Sequence, residues 1–90
     1  MSLDDLIAEA ELGDEAKKFK ESDLGRCILG IAEQEAMLSE KALGKIDPED
    51  IDGIVKLQRQ IQVAEWFQQW LDELIDKGES ALEVWKEQEK

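Results

Sequence analysis

The 90-residue sequence predicts an all-α fold: an antiparallel helical hairpin with a short N-terminal helix, which completes a bundle by self-association. Three observations predict this fold class. Apolar residues recur at spacings of three and four along two long segments. The only proline in the sequence, Pro48, lies between those segments and is flanked by residues that cap helices. β-Branched residues do not alternate with polar ones over several positions, as they would in strands. We therefore expect a single helical domain over residues 1–90.

Two serines mark the expected starts of the first two helices. Ser2 is a candidate N-cap for a short helix over about 3–12, which Gly13 is expected to interrupt. Ser22 is the candidate N-cap for the first long helix, over about 23–43. The side-chain oxygen of a serine can accept a hydrogen bond from a free backbone N–H in the first helical turn.

The region around the proline predicts a turn at 44–47 between the long helices. Gly44 can adopt the left-handed conformation that closes a helix. Asp47 can cap the following helix, and Pro48 at its first position sacrifices no backbone hydrogen bond. The second long helix is therefore expected over about 48–77.

The end of the sequence has a helix-forming composition. Gly78 is expected to end the second long helix, and residues 79–88 to form a C-terminal helical segment. That segment either continues the long helix or folds back on it.

One apolar stripe on each long helix is expected to form the hairpin core. Heptad-like spacing keeps such a stripe turned toward a partner helix, and a short turn makes the two helices antiparallel. The first helix contributes Leu24, Ile28, Ile31 and Leu38, and the second contributes Ile54, Leu57, Ile61, Leu71 and Ile75.

Two polar residues interrupt these stripes. With a turn near residue 46, Glu35 is expected opposite Leu57 and within a helical turn of Lys56 and Arg59. Either cation could neutralise it, because a buried lone carboxylate is costly. Glu35 is therefore either a device that fixes the helix register or part of a polar pocket, or it reaches solvent at the edge of the helix pair. Gln68 is expected to face the start of the first long helix.

A second apolar stripe on the later helix, here called the aromatic stripe, is the candidate interface. Together the two stripes cover roughly 220° of the helix, whereas a helix with one partner needs about 100°. The apolar face of the N-terminal helix, a second copy of the chain or a different protein could cover the remainder. Tryptophan and phenylalanine are enriched at the centres of interfaces. The aromatic stripe contains Val63, Trp66, Phe67, Trp70 and Leu74.

Composition narrows the functional classes. The sequence has 11 Lys and Arg, 23 Asp and Glu and no His, for a net charge of −12. Such a charge repels phosphate backbones, so direct nucleic-acid binding is not expected. No apolar run approaches the roughly 18 residues of a membrane span, and the acidic N-terminus is unlike a signal peptide. The lone Cys27 points to a reducing cytoplasm, and its thiol is expected to be buried and inert.

The sequence predicts no catalytic residue, no metal ligand and no cofactor. It has no His or Tyr, and each serine has a capping or surface explanation. The acidic cluster near the proline does not fit a calcium loop. With Gly53 at the sixth position, the first ligand would be Pro48 and the twelfth would be Arg59. We therefore expect a protein that is not an enzyme.

Several segments carry a resemblance to a known group of proteins: Phe19 to Arg26, Ala32 to Ala36, Asp47 to Asp50, Ile54 to Ala64 and Gly78 to Leu82. These segments resemble small helical proteins encoded among the virion-structure and packaging genes of tailed phages and prophages. This resemblance spans roughly residues 19–82. It implies a bacterial host cytoplasm or a virion as the location, and a role among head, portal or packaging components. It carries over no catalytic or binding residue.

The leading functional hypothesis is a non-enzymatic assembly or protein-interaction module that self-associates through the aromatic stripe. Its partners would be further copies of the chain and phage structural or packaging proteins. The alternative is an acidic nucleic-acid mimic that binds the basic cleft of a DNA-handling protein. The second long helix supports mimicry only weakly, because glutamines share its polar face with the carboxylates.

Overall fold

The computed structural model describes residues 2–88, and within them three α-helices pack against one another: α1 Leu3–Glu21, α2 Asp23–Leu43 and α3 Ile51–Gln88. No strand occurs in this part of the chain, so the all-α prediction is confirmed. In the same range, no helix is both long enough and apolar enough to pass through a lipid bilayer.

Helix α1 is longer than the predicted helix over 3–12, and α3 does not stop at Gly78. Ser2 caps α1 as expected, because its Oγ accepts a hydrogen bond from a first-turn backbone N–H at 3.2 Å. Gly13 and Gly78 lie inside their helices and face each other. A Cβ built on either glycine would lie 2.7 Å from the Cα of the other. Both glycines therefore allow two helix backbones to touch, and neither interrupts its helix.

Ser22 forms the junction between α1 and α2. Its backbone N–H donates to the Lys18 and Phe19 carbonyls at the end of α1. Its Oγ donates to the carbonyl of Phe19 at 2.7 Å and accepts from the N–H of Gly25 at 2.9 Å. A Cβ at Gly25 would overlap the carbonyl oxygen of Phe19. The predicted Ser22 cap is confirmed, and the junction requires glycine at position 25.

The connection between α2 and α3 is longer than the predicted turn at 44–47. Gly44 follows α2 with φ −69°, so its expected left-handed conformation is wrong. Asp47 does not cap α3. Its Oδ1 instead accepts at 2.9 Å from the N–H two residues on, within a turn that contains Pro48. Asp50 takes the capping role, accepting at 3.0 Å from the N–H three residues on, and α3 begins at Ile51.

Helix α1 lies along the C-terminal half of α3. Gly13 meets Gly78, and nearer the end of α1 the Nζ of Lys20 lies 2.6 Å from a carboxylate oxygen of Asp72. Residue numbers increase along α1 as they decrease along α3, so these two helices run in opposite directions.

Helix α2 lies along the N-terminal half of α3. Ser39 Oγ donates to Gln60 Oε1 at 3.0 Å, and Gln68 Nε2 donates to Glu33 Oε1 at 3.3 Å. The prediction that Gln68 faces the start of α2 is therefore wrong. The longer connection shifts the contacts of α2 along α3. With α1 and α2 placed in succession beside α3, the molecule measures 61 × 28 × 14 Å.

The core of the chain is thin. Its buried apolar residues within 2–88 are Leu6, Ala16, Ala64 and Ala81, and no large side chain in this range is fully buried. The chain exposes 6919 Å² of surface. A compact monomer of 10.2 kDa would expose about 5,300 Å².

Candidate interaction surface

Helix α2 turns a different face toward α3 from the one predicted. The expected core residues Leu24, Ile28, Ile31 and Leu38 are exposed, with Leu24 at 65%. The residues that follow each of them are buried or half-buried and face inward. The inward face contains Gly25, Leu29, Ala32, Ala36, Ser39 and Leu43.

The one-residue shift has a local cause. Both faces of α2 follow the same spacing of three and four, so periodicity alone does not distinguish them. The Ser22 junction presses Gly25 against the end of α1, which sets the rotation of α2 about its axis. Leu29 and Ala32 then face inward, because side chains three or four residues apart share a helix face.

Helix α3 turns its predicted stripe inward. These residues are half-buried, and they lie on the side of α3 that meets α1 and α2. They are Ile54, Leu57, Ile61, Leu71 and Ile75.

The aromatic stripe of α3 is largely uncovered within the chain. Trp66 is 45% exposed and Trp70 56%, and their rings stack with centroids 6.5 Å apart and an interplanar angle of 29°. Val63 and Leu74 are also exposed. Phe67 is half-buried.

Helix α1 covers only one member of the stripe by an aromatic contact. Phe19 meets Phe67 edge to face, with ring centroids 6.4 Å apart. The N-terminal face that was a candidate cover lies elsewhere. Leu6 is buried beside Ser80 and Ala81, farther along α3. The alternative in which the N-terminal helix covers both tryptophans is therefore wrong.

A groove of about 900 Å³ lies between α2 and α3. Polar groups line it as well, including Glu35, Lys56 and Arg59. Glu35 is exposed, which agrees with the expected position at the edge of the helix pair. The apolar lining combines residues predicted for the interface with residues predicted for the core. It includes Ile28, Ile31, Val55, Val63, Phe67 and Trp70.

Two further side chains have environments opposite to those predicted for them. Cys27 is exposed, so its predicted burial is wrong. Ser39 is 4% exposed, although a surface position was expected. Both differences follow from the same rotation of α2, which turns position 27 outward and position 39 toward α3.

The lysine with a shifted pKa lies on α1, away from the groove. The carboxylate of Asp14 lies 2.8 Å from the Nζ of Lys18 on α1, and its hydrogen bond and negative charge raise the pKa of Lys18. Within residues 2–88, no three or more His, Cys, Asp or Glu side chains are grouped so as to hold a metal ion. The surface is suited to burying apolar groups.

The structure brings the predicted interface residues Val63, Phe67 and Trp70 together with Ile28 and Ile31 of α2. Sequence reasoning missed this contribution of α2. The available signal was the second heptad-spaced face of that helix, which begins at Gly25. Comparison of the chain with protein-family models, curated proteins and solved structures gives no match.

Proposed function

We propose that this protein is a non-enzymatic interaction module that self-associates through the aromatic stripe and the adjoining groove. The observation that carries this proposal is the exposure of large apolar side chains on α2 and α3, together with the absence of any fully buried large side chain among residues 2–88. Extended apolar patches on soluble proteins mark binding sites, because contact with water is unfavourable for them.

The area available fits a stable interface. The chain exposes 6919 Å². This exceeds by about 1,600 Å² the surface of a compact monomer of the same mass. A standard protein interface buries about 800 Å² on each partner. One copy therefore has enough surplus surface to support a dimer.

In this proposal, α2 and α3 form an antiparallel hairpin, and association of hairpins completes a helical bundle. The stacked Trp66 and Trp70 supply the large anchors that dominate binding energy at interfaces. Isoleucines and valines line the groove together with Trp70 and would help to exclude water from this anchor on association.

The biological setting we propose is the one that the sequence resemblance implies. Copies of the module would join one another, or join phage structural or packaging proteins, in a bacterial host cytoplasm or in the virion. The net charge of −12 would keep unassembled copies from associating non-specifically.

An ion pair and the composition of α3 make nucleic-acid mimicry the less supported alternative. Mimicry needs a dense column of carboxylates, each free to meet a basic partner. On α3, Asp72 is paired with Lys20 at 2.6 Å, and glutamines share the polar face with the carboxylates.

The molar mass in solution tests self-association. We expect sedimentation equilibrium at micromolar concentration to give a mass above the 10.2 kDa of one chain. The double variant Trp66→Ala/Trp70→Ala should be monomeric. Loss of two anchors, each contributing at least about 2 kcal/mol, weakens binding roughly 1,000-fold.

Trp85→Ala is the matched control, since Trp85 is half-buried near the C-terminal end of α3 and outside the aromatic stripe. It should keep the mass of the unchanged protein. Far-UV circular dichroism should show that all three proteins are helical. A mass of one chain for the unchanged protein at these concentrations would disprove the proposal.

A further inference from the structure

We infer that the second copy docks antiparallel to the first, with a two-fold axis at Trp66 and with Arg59 of each copy paired to the partner's Glu73. This inference rests on the proposed self-association, and it specifies the partner and its orientation.

The first step is the placement of charge along the aromatic stripe. Arg59 lies seven residues before Trp66, and Glu73 lies seven residues after it. Seven residues are nearly two helical turns and about 10 Å of axis, so the three side chains share one side of α3. Arg59 lines the groove beside Val63, so it belongs to the same surface.

The second step is that both charged groups are available. Arg59 and Glu73 are exposed. Within residues 2–88, neither takes part in a salt bridge at or below 4.0 Å. Glu73 accepts a hydrogen bond from Gln69 of the preceding turn at 3.1 Å through Oε1. A carboxylate accepts several hydrogen bonds, so this contact does not prevent it from pairing with an arginine.

The third step is symmetry. In a two-fold pair, each contact between positions i and j occurs twice. Antiparallel packing centred on Trp66 places the arginine of each copy opposite the partner's Glu73. Parallel packing in register would instead place arginine against arginine and glutamate against glutamate, and like charges at such distances repel.

The local charge also favours a second copy. Two chains of net charge −12 repel each other overall, so association needs attraction where they meet. Lys56 and Arg59 line the groove together with Glu35 and Asp52, so its formal charges balance and this surface is less acidic than the chain as a whole. The antiparallel arrangement places these cations near carboxylates of the partner.

Charge reversal tests the orientation. The dissociation constants of the unchanged protein, Arg59→Glu, Glu73→Arg and the double variant should be measured by sedimentation equilibrium at low salt. Each single variant creates two like-charge contacts in the antiparallel pair, so we expect about tenfold weaker association. The double variant exchanges the two charges and should return to within about threefold of the unchanged protein.

Lys86→Glu and Glu83→Lys are matched controls, since they alter net charge by the same amounts at exposed positions of α3 distant from the proposed axis. They should shift the dissociation constant less than the single variants do. The difference in dissociation constant between the single variants and the unchanged protein should decrease at about 1 M salt, where charges are screened beyond about 3 Å.

Three results would overturn the inference. Equal dissociation constants for all four proteins would contradict the proposed charge pairing. So would weaker association of both single variants that the double variant does not reverse. If the control variants shift the dissociation constant as much as the single variants do, the weaker association would be explained by net charge alone. In each case the unchanged protein would still associate, so only the orientation would be wrong. A monomeric unchanged protein would instead contradict the proposed function itself.

Discussion

The two halves of α3 meet two different kinds of surface. Its C-terminal half packs on α1 through small residues, and Gly13, Ala16, Gly78 and Ala81 are all buried there. Its N-terminal half packs on α2 through a face in which three small residues, Ala32, Ala36 and Ser39, lie between two leucines. There, large apolar side chains remain outside the contact.

A single chain completes the packing of α1 on α3, whereas it leaves the packing of α2 on α3 incomplete. Where two glycines meet, the helix axes approach closely, and backbone atoms make the dispersion contacts that side chains make elsewhere. Along α2, the rotation set at the Ser22 junction turns the smaller residues inward and leaves Ile28 and Ile31 at the groove. We therefore assign the interaction role to the groove beside α2 and to the aromatic stripe that continues from it along α3.

Substitution of Gly13 should have the largest effect on the stability of the chain itself. The added Cβ would lie 2.7 Å from the Cα of Gly78 and 2.8 Å from the carbonyl oxygen of Leu74. These are backbone atoms, which move only if the helices separate. We expect Gly13→Ala to lower the free energy of unfolding by about 2 kcal/mol in urea titrations followed by circular dichroism.

Gly30→Ala is the matched control for this substitution. Gly30 lies within α2, and beyond its own stretch of helix backbone no atom of residues 2–88 lies within 4 Å of the Cβ that it would gain. Alanine has the higher helix propensity, so this variant should be more stable by up to about 1 kcal/mol. A stabilising Gly13→Ala would show that the close approach of α1 and α3 does not exist.

The rotation of α2 provides the second test of the comparison. Leu29 is half-buried against α3, whereas Leu38, one of the residues predicted for the core, is 53% exposed. The same truncation should therefore have different costs at the two positions. We expect Leu29→Ala to cost about 1.5 kcal/mol of unfolding free energy and Leu38→Ala less than about 0.5 kcal/mol, because partial burial scales the loss. Equal costs, or a larger cost at Leu38, would indicate that α2 packs on α3 through the face predicted from the sequence.

The helical class was predictable because periodicity, composition and caps all agree. Ser2 and Ser22 cap the helices at the expected places. Each cap is a local arrangement of three or four residues, and sequence describes local arrangements well. The aromatic stripe was likewise recognisable from spacing alone, since α3 is a continuous helix across it.

The rest depended on contacts between residues distant in the sequence. Gly13 was expected to interrupt α1 because glycine weakens helices. Its partner Gly78, which accounts for its presence there, lies 65 positions away. The inward face of α2 was ambiguous because two faces shared one period. What distinguishes them is Gly25, which the carbonyl of Phe19 restricts.

The smallest effect that we expect concerns the ion pair between α1 and α3. Lys20 Nζ lies 2.6 Å from Asp72, but the two side chains are 40% and 55% exposed, so water and salt screen the attraction. Lys20→Met should lower the free energy of unfolding by no more than about 0.5 kcal/mol. Urea titrations at low and at high salt should detect the difference only at low salt.

Lys18→Met gives the comparison within α1, since Lys18 pairs with Asp14 of the same helix at 2.8 Å. If backbone contact at the glycines holds α1 on α3, both methionine variants should have small and similar effects, because neither removes that contact. A cost for Lys20→Met as large as that of Gly13→Ala would mean that charge, and not close packing, holds the C-terminal half together. The distinction between the two halves of α3 would then lose its physical basis.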